Sequence, residues 1–151
     1  MEASHPSFEI RPGEAIGPFA LGMTRDEARA LARGEFQAEA RAWEASAPER
    51  ADFFPDLGIV ISYDANGRCA DVEGQFGYAF GDKSGFLLFG KRINWMPADD
   101  VVELCKEHWA DVTFSHYWYE VLSAGIRMTY FDSPLDGTFC AASVFPVARG
   151  R

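Results

Sequence analysis

Two histidines, His108 and His116, stand eight residues apart with Asp111 between them, and imidazole beside carboxylate is the chemistry of a metal site or of general acid–base work. A metal needs further ligands at coordinating spacing, and the chain has no CxxC, HxH or HExxH run. Ser115 completes a serine, histidine and aspartate set on paper, but no glycine-flanked nucleophile elbow accompanies it. The simpler reading is two partly exposed histidines beside aromatic residues, with no metal ligand and no catalytic residue assigned.

The other chemistry-bearing segments also resolve into structure. Cys69, Cys105 and Cys140 are odd in number, widely spaced and set in apolar sequence, which suits reduced, buried thiols better than disulfides or nucleophiles. In DANGR, residues 64–68, Asp64 and Asn66 sit two apart as in a calcium loop. The later oxygen ligands and the bidentate glutamate are missing, so the segment is a turn. The glycine-rich GQFGYAFGDKSG, residues 74–85, lacks Gly-Lys-Ser/Thr and leads into a strand where a phosphate loop leads into a helix. It reads as a mobile connector, and no cofactor is expected.

HYWYE, residues 116–120, is the sharpest anomaly. On a strand His116, Trp118 and Glu120 share one face and Tyr117 and Tyr119 the other, so large aromatics occupy both. One face can be core. The other is covered by the rest of the fold or offered to a partner, and Tyr and Trp are over-represented at binding hot spots. Trp43 and Trp95 pose the same choice. The expected partner-binding residues are Tyr117, Trp118, Tyr119 and Glu120, with Asp99, Asp100 and Glu103 as acids that steer a basic partner.

The elements that must hold these segments occur twice. IGPFALGMTRDEARALAR, residues 16–33, aligns without gaps on FGKRINWMPADDVVELCK, residues 89–106, at an offset of 73. Thr24 and Glu27 form a capping box for the first helix, and Pro97 suits the first turn of the second. Asp26/Glu27 and Asp99/Asp100 lie toward the positive dipole ends, Arg33 and Lys106 toward the negative ones. Ala28, Leu31 and Ala32, like Val101, Leu104 and Cys105, form one apolar stripe.

After each helix the period becomes two. Ile59, Ile61 and Tyr63 share a face before the Asp64–Gly67 turn, and Ile126, Met128 and Tyr130 share one before a longer turn at 133–137. Further extended segments are predicted at 85–89 and 111–122, with a loop inside 36–54. The expected fold is α+β: one compact domain of two duplicated helix-plus-antiparallel-meander units, about 14–76 and 87–146, with the helices packed on one face of the sheet.

Composition bounds the function. The 151 residues carry a net charge of −9 and are 48% hydrophobic, too apolar for disorder and too acidic for a protein that neutralises phosphates. Nucleic acid is not an expected partner. The N-terminal stretch has neither a signal-peptide pattern nor a lipid-attachment cysteine, and no run reaches membrane-spanning length, so a cytoplasmic protein without a membrane partner is expected.

LGMTRDEARAL, residues 21–31, followed by strands and the GIVISYDANGR hairpin, resembles the helix-plus-meander unit of the BamE (SmpA) and beta-lactamase-inhibitor-protein group. The tandem arrangement is similar to the inhibitor proteins, which grip an enzyme with an exposed sheet surface. The size and acidity also look like those of bacterial immunity proteins. The resemblance implies a protein-binding inhibitor and not an enzyme, most specifically a cytoplasmic immunity protein that binds and occludes a cognate toxin. The alternative is an enzyme or small-molecule binder using a pocket between the two repeats, with Asp111 and His116 as its polar groups.

Overall fold

The computed structural model describes residues 6–31, 37–39, 51–115, 117–130 and 137–147. The chain opens with three short strands, β1 (Ser7–Arg11), β2 (Ala15–Ile16) and β3 (Phe19–Ala20), and then helix α1 (Arg25–Leu31). Four strands follow: β4 (Gln37–Glu39), β5 (Ala51–Phe54), β6 (Ile59–Tyr63) and β7 (Cys69–Gln75). A single turn of helix, α2 (Gly77–Phe80), leads to β8 (Gly85–Leu88), β9 (Lys91–Arg92) and helix α3 (Ala98–Lys106). The last strands are β10 (Thr113–Ser115), β11 (Trp118–Val121), β12 (Ile126–Thr129) and β13 (Ala141–Val144).

These strands form two sheets, a five-stranded one in the order β3-β2-β1-β8-β9 and an eight-stranded one in the order β10-β11-β12-β13-β7-β6-β5-β4. The expected α+β plan with helices packed on the sheet is therefore corrected: the chain is mostly β. The inner face of the large sheet meets the small sheet. Phe19 of β3 stacks on Phe54 of β5 with ring centroids 5.6 Å apart, and the Phe86 ring of β8 lies against Gly74 of β7. Helix α1 buries only Ala28 and leaves Leu31 40% exposed, whereas α3 buries Ala98, Val101, Val102, Leu104 and Cys105 in the same core.

The 73-residue offset recurs in the backbone. Met23 N donates to Ala20 O and Met96 N to Ile93 O, and the isolated bridges Thr24–Arg68 and Pro97–Thr138 lie just ahead of α1 and α3. Beyond the helices the correspondence continues at an offset of 67, with Gly58 N donating to Phe54 O and Gly125 N to Val121 O. The two series meet where β7 pairs antiparallel with β13: Val72 faces Val144, Gly74 faces Ala142, and Glu73 faces Ser143 between them.

Local chemistry explains the element ends. The Thr24–Glu27 capping box is present, with Thr24 N donating to Glu27 Oε1 at 3.1 Å and Glu27 N to Thr24 Oγ1 at 3.2 Å. Pro97 stands at the N-cap of α3, one place before its first turn. Asp64 Oδ1 accepts from Asn66 N and Arg68 N, which closes the DANGR turn. The segment expected as one extended run at 111–122 is a hairpin, because Ser115 pairs with Trp118 and the chain reverses between them.

The segment expected as a connector, 74–85, carries the end of β7, α2 and the start of β8, and makes hydrogen bonds at Gly77, Asp82 and Ser84. Gly77 N and Asn94 Nδ2 both donate to Asp82 Oδ1, and Ser84 Oγ donates to Leu57 O at 2.7 Å. Residues 133–136 of the second expected turn, Trp43 and the 40–50 segment lie outside the described residues.

Candidate functional site

Strand register fixes what the outer face of the eight-stranded sheet presents. Side chains alternate along each strand, so the neighbours of the buried Ile59, Ile61, Val72, Val144, Ile126 and Met128 point the other way. Reading partners across seven strands gives one row: Phe53, Val60, Glu73, Ser143, Arg127, Glu120 and Thr113. Beside it runs a second: Gln75, Ala141, Thr129, Trp118 and Ser115. Phe53, Glu73, Gln75, Arg127, Thr129, Trp118 and Glu120 are half-buried, whereas Val60, Ala141 and Ser143 between them are buried, so the face is accessible at its larger side chains and closed along its middle.

Small side chains at Ala141 and Ser143 floor the middle of this face, and larger groups rise at both ends. On one flank Phe53, Val60, Gln75 and Phe80 of α2 line a recess of about 230 Å³. On the other, the Arg127 guanidinium lies 5.6 Å from the Trp118 ring centroid and 5.1 Å from that of Phe145. Arg127 Nε also meets Glu120 Oε2 at 3.3 Å, and Gln75 Nε2 donates to Glu73 Oε2 at 3.0 Å. Cation–π contact and ion pairing hold the Trp118, Glu120 and Arg127 side chains in one arrangement, which lowers the ordering cost of binding.

The expected contact residues divide between two sides of the molecule. Trp118 and Glu120 stand on the outer face. Tyr119 points inward, 4.8 Å from the Phe114 ring and 6.1 Å from that of Phe139, and Tyr117 is exposed beside the β10–β11 reversal. Asp99, Asp100 and Glu103 are exposed on α3, whose apolar side enters the core beneath the inner face. They therefore do not join the Trp118 surface. Asp100 and Glu103 line a separate groove with Lys91, Met96, Leu104 and Glu107.

The histidine and aspartate set does not assemble among the described residues. The His108 ring stacks on Phe89 with centroids 3.6 Å apart, and its Nδ1 lies 3.1 Å from Leu104 O. Asp111 caps the β11–β12 turn instead, accepting from Ser123 Oγ at 2.7 Å and Ser123 N at 3.2 Å, and these bonds lower its pKa. His116 lies outside the described residues. Among the described residues no three His, Cys, Asp or Glu side chains converge as metal ligands, and no helix is long and apolar enough to cross a membrane.

Two charged arrangements escaped the sequence reading. Asp52 is fully buried and accepts from Arg25 (3.2 and 3.0 Å), Arg29 (2.9 and 2.8 Å) and the Tyr63 hydroxyl (2.9 Å). Burial alone would raise its pKa, but these donors hold it below the usual carboxylate range. Asp82 accepts the Trp95 indole N–H at 2.6 Å besides Gly77 N and Asn94 Nδ2, and its pKa is likewise lowered against the effect of burial. The signal for the outer row was present in the sequence: Arg127 lies between Ile126 and Met128, at a position that alternation turns away from the core. Compared with protein-family models, curated proteins and solved structures, the chain matches none of them.

Proposed function

We propose that this chain is a protein-binding inhibitor that seats its partner on the outer face of the eight-stranded sheet. The observation that carries the reading is the register-aligned surface with small residues along its middle, Phe53 and Phe80 on one flank and Trp118, Arg127 and Glu120 on the other. Such a surface offers aromatic and guanidinium anchors, the residue types that dominate interface energetics. It spans seven strands at about 4.8 Å each, the breadth of a protein-sized contact and not of a metabolite pocket. The acidic charge of the chain, −9, favours a basic partner through faster encounter.

The finer reading follows from the sequence resemblance: a cytoplasmic immunity protein whose partner is a cognate bacterial toxin. Tagged protein co-expressed with the product of the adjacent open reading frame tests both levels. The expected result is a stoichiometric complex, suppression of that product's toxicity, and binding weakened about 30-fold or more by Trp118→Ala or Arg127→Ala. A complex indifferent to both substitutions would move the interface elsewhere. Absence of complex and of rescue would remove the immunity reading.

A further inference from the structure

Phe89 and Trp95 are the two described non-glycine residues with left-handed backbone, at φ +52° and +65°. Both are aromatic and exposed, Trp95 to 52%, and both belong to the second of the aligned segments. At the place of Trp95 the first segment has Gly22, at φ +85° with open space where a Cβ would stand. A bulky residue is disfavoured in this conformation, and such strain persists where surrounding structure over-determines it, often at ligand-contact sites. Here the over-determining group is Asp82. Its Oδ2 accepts the indole N–H at 2.6 Å, while Oδ1 is fixed by Gly77 N and Asn94 Nδ2.

The hydrogen bond also shapes the ring's chemistry. An indole N–H donating to an ionised carboxylate pushes electron density into the ring and deepens the negative potential on its face, which is the face that attracts cations. Arg92 offsets the carboxylate only in part, 3.6 Å away and itself more than half exposed. The Phe89 face is already occupied by the His108 ring at 3.6 Å. Among the described residues no ring or guanidinium lies over Trp95.

We propose that the exposed face of Trp95 binds a cationic side chain, an arginine guanidinium, presented by the protein partner. The ownership of the cation rests on the protein-binding reading; the cation site itself does not, and can be tested without any partner. The net charge of −9 supplies the long-range attraction for such a group, and the Asp82 anchor supplies the fixed ring.

The experiment is an NMR titration of the full chain, following its four tryptophan indole N–H signals, with that of Trp95 assigned by its loss in Trp95→Phe. The probe is Nα-acetyl-arginine methylamide, and the control is the neutral isostere Nα-acetyl-citrulline methylamide. The expected result is a saturable shift of the Trp95 signal with the arginine compound alone, the other three indoles moving little. Equal shifts with both compounds, equal shifts at all four indoles, or none at Trp95, would each overturn the proposal. A companion measurement asks whether the indole is kept for folding. Trp95→Gly, with Trp95→Asn as a second left-handed-tolerant variant, is expected to melt within about 4 °C of the parent or above it. A much larger loss in both variants would make Trp95 a structural keystone and sink the idea. A positive titration with no toxin partner leaves the site standing and removes only the immunity reading.

Discussion

The Phe86 ring rests on Gly74 so closely that a Cβ added there would lie 2.5 Å from Cε1. This contact is where the small sheet seats on the large one, next to the β7–β13 seam. Gly74→Ala is expected to cost about 1–3 kcal/mol, because the ring must leave a fully packed position. In urea unfolding, Gly74→Ala combined with Phe86→Leu should recover part of that loss. Strict additivity of the two changes would mean that the ring does not set the requirement for glycine.

Asn94 is the polar pin of the same region. Almost fully buried, it accepts from Phe86 N at 2.8 Å and donates to Ser84 O at 2.9 Å and Asp82 Oδ1 at 3.2 Å. Asn94→Ala leaves the Phe86 amide and the Ser84 carbonyl without this partner in a buried site, at a cost of about 1–3 kcal/mol per orphaned group. Asn94→Asp should be worse at neutral pH, since it turns two donors toward acceptors into a third negative oxygen. Thermal melts at pH 7 that rank the aspartate variant above the alanine one would contradict this hydrogen-bond assignment.

The buried thiols should be inert. Burial pushes the pKa of both Cys69 and Cys105 up to about 12, so the nucleophilic thiolate is a minute fraction at pH 8. Iodoacetamide followed by intact-mass measurement should leave both unmodified in the native chain and label them once denaturant is added. Rapid native labelling at either site would show that its surroundings open readily.

How much of this was legible before the structure depends on the range of the interactions. The capping box at Thr24 and the Asp64 turn are local, and hydrogen bonds within five residues of sequence make them readable. The α+β expectation failed because periodicity detects helices such as α3, while strands of two residues such as β2, β3 and β9 fall below any alternation window. With those strands invisible, the helices were the remaining material to cover the sheet. The outer row is non-local by construction. Glu73 and Ser143 meet only because β7 pairs with β13, and no reading of either strand alone brings them together. Trp118 and Glu120 were found from the alternation of their own strand, but Tyr119, Asp99, Asp100 and Glu103 were assigned to the same surface without the register that separates them.

Asp52 makes the acid sensitivity of α1 predictable. The helix buries one side chain, Ala28, and its other tie to the sheet is the pair of arginines that converge on one buried carboxylate with the Tyr63 hydroxyl. The folded-state pKa of Asp52 is depressed below its ordinary 3.8, so the cluster's stabilisation is fully present above that value. It is lost as pH falls through the depressed folded-state pKa. Asp52→Asn removes the charge at every pH and leaves two guanidinium groups facing an amide, which should cost about 3–5 kcal/mol at pH 7. The parent and the variant should therefore converge in stability as the pH is taken well below 3.8. Urea midpoints across pH 2–7 measure this directly. A stability gap between parent and Asp52→Asn that stayed constant down to the lowest pH would show that packing around residue 52, and not its charge, holds α1 in place.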